Sequence, residues 1–363
     1  MEEQSLGQRL HIDFPLFFGI LVLCLIGLVV IYSAGGQDMN LVYRQAVKLL
    51  IALVGMVIVA QLPPAEIARW SFGLFLFGIV LLILVIFYGD VGKGAQRWLD
   101  LKIFRFQPSE LMKLSVPMMV ACYLADKTLP PRFLTVVIVC VMITIPVLLI
   151  AKQPDLGTAL LVATAGFSVL FIAGISWRLL IFMGGVAAAG APALWYFMHD
   201  YQKQRVLTFL NPENDPLGAG YHTIQSKIAI GSGGFYGKGW LNGTQSHLEF
   251  LPERSTDFIF AVFCEEFGML GVLFLLCLYL FIISRGLYIA INAQHTFGRL
   301  LASSLTLTFF VYIFVNMGMV TGQLPVVGVP LPLVSHGGTS MVTLMIGFGI
   351  IMAIHTHRRF LSF

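Results

Sequence analysis

Phe14-Pro-Leu-Phe-Phe-Gly-Ile-Leu-Val-Leu-Cys-Leu-Ile-Gly-Leu-Val-Val-Ile-Tyr-Ser-Ala34 decides the fold class of this chain. It carries no charged side chain, and a bilayer span needs about 20 such residues. The thirteen residues before it hold one arginine and three acids, a poor secretory leader. The run is also too long for a signal-peptide core, so it is expected to be retained as a first span.

The same texture recurs along the 363 residues, which are 58% hydrophobic and 11% charged, with a mean hydropathy of +0.88. A soluble domain would carry roughly a quarter charged residues. The expected fold is therefore an all-α polytopic membrane protein with about ten transmembrane helices, centred near residues 24, 54, 79, 117, 142, 165, 187, 271, 310 and 347. A net charge of +4 is too small and scattered for a nucleic-acid partner. Cys24, Cys122, Cys140, Cys264 and Cys277 all lie in apolar runs, which argues for packing rather than disulfides or a metal site.

One segment breaks the pattern. Residues 199–256, between the seventh and eighth expected helices, form a large polar loop within an otherwise single integral domain, 1–363. It includes the glycine cluster Gly231-Ser-Gly-Gly234 and ends Leu251-Pro-Glu-Arg-Ser-Thr-Asp257. A chain that only spans a bilayer has no use for it, so chemistry is expected beneath or within it.

An even number of spans puts both termini on one side. The tail His355-Thr-His-Arg-Arg359 and the short-loop residues Arg69, Lys127, Arg132, Arg178, Arg285 and Arg299 read as cytoplasmic. Loops 89–107 and 199–256 then lie outside, although Lys93, Arg97, Lys102 and Arg105 oppose the charge rule there. The fourth, sixth, eighth and tenth helices would all start at the outer face, where their N-terminal N–H groups favour anions.

Asp257 follows the polar loop and opens an apolar helix, a position that suits catalysis or ordinary helix capping. Glu110 and Lys113 share one helical face inside a span, as a functional pair or a structural ion pair. Asp155 also starts a helix, where capping is the simpler role. Glu265 lies about 12 Å deeper than Asp257 at 1.5 Å per residue; it or Glu266 is expected to be paired internally. Arg97, Lys203, Arg205, Lys227, Lys238 and Arg254 supply outside cations that together suit a diphosphate. The glycine cluster reads as a loose phosphate cradle or as a re-entrant turn.

The run Leu324-Pro-Val-Val-Gly-Val-Pro-Leu-Pro-Leu-Val-Ser335-His-Gly-Gly338 cannot form a regular helix and must be protein-buried or line a cavity. It resembles the signature of the SEDS family (shape, elongation, division and sporulation). So do Lys93-Gly-Ala-Gln-Arg-Trp-Leu-Asp100, Arg105-Phe-Gln-Pro-Ser-Glu-Leu-Met-Lys113, Gln153-Pro-Asp-Leu-Gly-Thr158 and Leu251-Pro-Glu-Arg-Ser-Thr-Asp-Phe-Ile-Phe260. The wording at 215–222 and 245–253 is similar to the elongation (RodA-type) branch. His336 stands where the family commonly has tyrosine.

The resemblance implies a peptidoglycan glycosyltransferase of the bacterial cytoplasmic (inner) membrane that polymerises lipid II at the outer face, with both termini cytoplasmic. It implies Asp257 as the essential acid, with Glu110, Lys113 and Asp155 near a central cavity. It also implies a class B penicillin-binding protein and the elongation machinery as partners, besides membrane lipids. The donor is an α-linked sugar diphosphate and the product β-linked, so one inverting step suffices. Asp257 is expected to act as the general base, with undecaprenyl diphosphate leaving, and Lys113 and Arg97 helping to hold it; Arg205 and Lys227 are further substrate-binding candidates. No cofactor is named. Acids at the outer face leave room for a divalent cation (Mg or Mn), without a ligand set. The alternatives are a flippase or other transporter of lipid-linked precursors, and a non-catalytic scaffold for cell-wall synthases.

Overall fold

Prolines and carboxylates set where the helices begin. The computed structural model describes residues 11–92, 95–100, 105–198, 200–211, 219–244 and 253–357. Asp13 caps α1 (Phe14–Ala34), its Oδ1 accepting from Leu16 N at 3.0 Å, while Pro15 fills the first turn. Asp38 caps α2 (Met39–Ala60) through Asn40 N at 2.9 Å. α3 (Pro64–Tyr88) and α4 (Pro108–Ala125) each open on proline, where a missing N–H leaves nothing unpaired. α5 (Phe133–Lys152), α6 (Leu156–Ile172) and α7 (Trp177–Phe197) follow. Two shorter helices, α8 (Asp200–Leu210) and α9 (Ala219–Gly233), precede α10 (Ile259–Ile291), α11 (Thr296–Val320) and α12 (Thr339–Thr356).

Setting α8 and α9 aside, the described residues hold the ten long helices expected, and seven of them are long and apolar enough to cross a membrane. Of the rest, α6 has 17 residues, α4 buries Glu110 and Lys113, and α7 completes the series. The fold is a polytopic helical bundle. Between α3 and α4 a small antiparallel ribbon forms from β1 (Asp90–Gly92), β2 (Ala95–Asp100) and β3 (Arg105–Phe106), which hydrogen bond in that order. Lys93 and Lys102 lie outside the described residues, as does much of the 199–256 loop beyond α8 and α9.

Burial sorts the helices. In α11 and α12, 67% and 61% of the most apolar stretch is enclosed, against 22% in α2 and α3, so α11 and α12 are central. α11 packs on α10, α6 and α4, and α2 lies along α12. Leu50, Ile58, Phe72, Phe87, Leu148 and Phe274 are exposed. Large apolar side chains on the outside are what a hydrocarbon solvent requires.

The first and last described residues meet. The His11 and His357 rings stack 3.9 Å apart, and Asp13 pairs with Arg285 at 2.7 Å and His355 at 3.3 Å. The ribbon and the starts of α4, α6 and α12 occupy the opposite end of the bundle.

α10 is broken. Gly268 has φ +60, and the turn after α9 enters the gap. Lys238 N and Gly239 N donate to the carbonyls of Glu265 and Glu266 (3.0 Å each), while Met269 N and Leu270 N donate to those of Gly234 and Phe235 (3.1 and 3.2 Å). The exchange satisfies the backbone groups that the break frees. A Cβ on Gly268 would strike the backbone of residues 235–237, so only glycine fits. Of the 231–234 glycines, Gly231 and Gly233 lie in the last turn of α9 and Gly234 opens the turn that enters the break.

Candidate functional site

The site is built around a pinned turn. Residues 253–258 form turns before α10, whose N-cap is Phe258. Three successive carbonyls of this turn are held from elsewhere. Ser255 O accepts from His336 N at 2.8 Å, Thr256 O from Ser335 Oγ at 2.7 Å, and Asp257 O from Asn316 Nδ2 at 2.9 Å. Asn316, fully buried in α11, also donates to Val329 O at 2.7 Å. The proline-rich run is itself tied down: Ser335 Oγ accepts from Leu331 N, and Tyr279 Oη donates to Pro332 O, each at 2.8 Å.

Asp257 therefore sits on a rigid block. It precedes the helix cap, and Phe258 makes no side-chain capping bond. Its carboxylate lies over Gly328, φ +76, where an added Cβ would come 3.6 Å from Oδ2. The run's valine and leucine side chains pack inward while its glycine leaves room beside the carboxylate.

Two other acids are held in networks. Asp155 caps α6 by accepting from Thr158 N at 3.3 Å, and its Oδ2 accepts from Gln107 Nε2 at 2.8 Å. Arg97 Nη1 lies 3.7 Å from Asp155 Oδ1, and the same guanidinium donates to the carbonyls of Gln153 (3.4 Å) and Pro154. Gln153 Nε2 reaches Leu82 O at 2.9 Å. The repeated Gln-Pro dipeptides thus stitch helix starts to their neighbours.

Glu110 and Lys113 form the expected pair, Nζ to Oε1 2.7 Å, with both side chains 6% exposed. Lys113 Nζ also stands 5.1 Å from the centre of the Tyr312 ring. The cavity beside them, about 30 Å³, is lined by Thr308, Phe309, Thr343 and Phe348. That is room for a water. Glu110 Oε2 is buried without a partner, a natural place for such a water.

The remaining cations disperse. Lys227 is exposed on α9 and lies over Gly322, just past the C-terminus of α11, where partial negative charge gathers. Lys238, expected outside, turns inward to Glu265 at 2.8 Å, and Thr244 donates to the same oxygen at 3.1 Å. Ser33 bonds Glu266. Arg205 is on α8, but its side chain lies outside the described residues. Among the described residues no three His, Cys, Asp or Glu side chains converge as a metal site.

Sequence reasoning passed over three residues. Asn316 is a lone amide in an apolar helix. His222 stacks on Phe258 at 5.6 Å, and burial pulls its pKa below the usual imidazole value against the opposing pull of Glu253. Lys48 lies within a span, the same signal that singled out Lys113; its Nζ is 3.5 Å from His336 Nε2.

Comparison with known proteins places this architecture. The profile of the FtsW/RodA/SpoVE family, described as a cell cycle protein, matches residues 14–360. The chain is 55% identical to the peptidoglycan glycosyltransferase MrdB of Escherichia coli K12, covering 99% of this chain and 98% of that one. It is 37% identical to MrdB of Helicobacter pylori 26695, covering 96% and 91%. Among solved structures it is similar to a chain from a study of polymerisation and crosslinking by a peptidoglycan synthase complex (TM-score 0.83, 31% identity, covering 94% and 97%). It is also similar to the Thermus thermophilus rod shape determining protein RodA (TM-score 0.72, 29% identity, covering 94% and 96%). With its ten-helix bundle, broken α10 and pinned turn, the chain belongs to the FtsW/RodA/SpoVE family.

Proposed function

We propose that this chain is a peptidoglycan glycosyltransferase that polymerises lipid II during cell elongation, at the outer face of the bacterial cytoplasmic membrane. His11 and His357, stacked at the end of the bundle away from the site, would then mark the cytoplasmic side. The names of its relatives support the activity, and the pinning of the Asp257 turn by hydrogen bonds to three successive carbonyls, at 255, 256 and 257, carries the mechanism.

The step is a single displacement. The acceptor 4-hydroxyl oxygen attacks the donor C1, and the C1–O bond to the diphosphate breaks with inversion. The bonding pair leaves with the diphosphate, and the hydroxyl proton passes to the Asp257 carboxylate. The leaving group is already an anion and needs no general acid, only cationic or N–H stabilisation. The base must be held within hydrogen-bond reach of the hydroxyl, and a turn fixed at 255, 256 and 257 achieves this. A divalent ion at this mouth would draw most of its ligands from phosphate oxygens and water.

In this reading the two ion pairs serve the scaffold. Glu110–Lys113 is enclosed, and Arg97 is engaged by Asp155 and two carbonyls. Both hold α4 and α6 in place beneath the site. A class B penicillin-binding protein is the proposed partner, because the similar solved chain comes from a peptidoglycan synthase complex.

The test is polymer formation from lipid II by the purified chain in detergent, with and without the partner, and with other glycosyltransferases excluded. Polymer supports the reading. Intact complexes that make none, yet move lipid II between leaflets in vesicles, would instead favour a transporter, the reading that the broken α10 brings to mind.

A further inference from the structure

Lys48 lies nine residues into α2, about 13 Å along that helix at 1.5 Å per residue. It makes no ion pair with any described carboxylate, and the charge nearest to it in effect is that of Arg44, a like charge one turn away. A half-buried cation with no anion is expensive unless an anion visits it. Among the described residues its one polar contact is long, 3.5 Å to His336 Nε2. An imidazole nitrogen is a weaker partner for an ammonium than a phosphate oxygen.

What surrounds Lys48 suits an anion. Its stem rests against Gly338, where an added Cβ would meet Lys48 Cδ at 3.6 Å. Gly338 is the N-cap of the eighteen-residue α12, and it offers no side-chain cap, so the first N–H groups of that helix have none to bond. A Cβ on Gly337 would meet nothing within 4 Å, so the space in front of this turn is open. Gln45, 2% exposed, fixes the turn from below: its Nε2 reaches Ser335 O and its Oε1 accepts from Gly337 N, each at 3.4 Å. The block is continuous with the base, because His336 N bonds Ser255 O and Ser335 bonds Thr256 O.

We propose that Lys48, His336 and the N-terminus of α12 form the subsite that holds the diphosphate of a polyprenyl-linked donor. This deepens the glycosyltransferase reading and rests on it. Lys48 donates to one phosphate oxygen, the N–H groups of the first turn of α12 face another, and His336 donates once protonated or is displaced when neutral. The leaving group and Asp257 then sit on one hydrogen-bonded block, with the polyprenyl tail free to run into the bilayer.

The experiment measures equilibrium binding of undecaprenyl diphosphate to the full chain in phosphatidylcholine nanodiscs, for wild type, Lys48→Gln and Lys48→Arg. Undecaprenol and phosphatidylglycerol are the control ligands. Lys48→Gln is expected to weaken diphosphate binding about ten- to hundredfold, the range of a lost charge-assisted hydrogen bond. Lys48→Arg should stay within about threefold of wild type, and undecaprenol binding should be equal in all three. Four results overturn the proposal: no binding by wild type, equal diphosphate binding by Lys48→Gln, a parallel loss of undecaprenol that marks a packing defect, or displacement by phosphatidylglycerol at equal mole fraction. That last outcome makes the site one for bilayer headgroups. A polymerisation assay run in parallel separates the two claims: Lys48-dependent binding in a wild type that makes no polymer would sink the glycosyltransferase reading and leave the subsite standing.

Discussion

Asn316 Nδ2 holds the backbone carbonyl of Asp257 at 2.9 Å from the adjacent helix α11, 59 residues away in sequence. The same amide holds Val329 O at 2.7 Å, so one buried side chain clamps the acid's turn to the run beneath its carboxylate. Asn316→Ala removes the amide that donates to both carbonyls and is expected to destabilise the fold by about 1–3 kcal/mol. The catalytic readout distinguishes positioning from mere stability. In the folded fraction kcat should drop about tenfold or more with KM little changed, because a misplaced base loses transition-state stabilisation alone. Equal loss in both Asn316→Ala and a destabilised variant elsewhere would remove the positioning role.

The Glu110–Lys113 pair is enclosed enough that breaking it from one side leaves a buried charge. Lys113→Met should destabilise by about 3–5 kcal/mol, and adding Glu110→Leu should restore much of that loss. Thermal inactivation of the two single variants and the double variant checks this. A double variant no better than its parents would mean that the pair acts on substrate instead.

Gly268 tests the turn inserted at the break. Gly268→Ala puts a Cβ against the backbone of 235–237 at φ +60, and the strain is expected to exceed about 1–3 kcal/mol. Limited proteolysis should then open the 234–244 segment first. Unchanged protection would show that the segment does not depend on the break.

Protonation of the joined termini should loosen the opposite end. Burial first, and the stacked His357 second, pull the His11 pKa below 6.5. The unfolded chain then binds the proton more readily than the folded one, so stability is full above about pH 6.5 and falls as the pH drops toward the lower folded value. Melting curves from pH 7.5 to 5.5 should show this decline, and His11→Phe should flatten it.

Much of the bundle was legible because a span needs about 20 apolar residues, and Phe14–Ala34 announces itself on that rule. Helix starts were legible where Pro108, Asp155 and the Ser335–Gly338 turn punctuate the chain. Pairings were not. Lys238 reads as an outside cation until the break at Gly268 shows it entering beside Glu265. Asn316 carries no local pattern, and its partners lie on two other segments. Lys48 broke a span as visibly as Lys113 did, but its role depends on Gly338, 290 residues away. Asp257 was legible as an acid at a helix start; that the helix begins at Ile259, with Phe258 rather than Asp257 at its N-cap, is a fact of tertiary structure.

The most direct measurement is single-turnover glycan polymerisation by Asp257→Asn beside wild type, with lipid II binding measured on both. The account predicts unchanged binding and a rate lower by about 10²–10⁴, the share of a general base. A variant that binds lipid II and polymerises at the wild-type rate would contradict it.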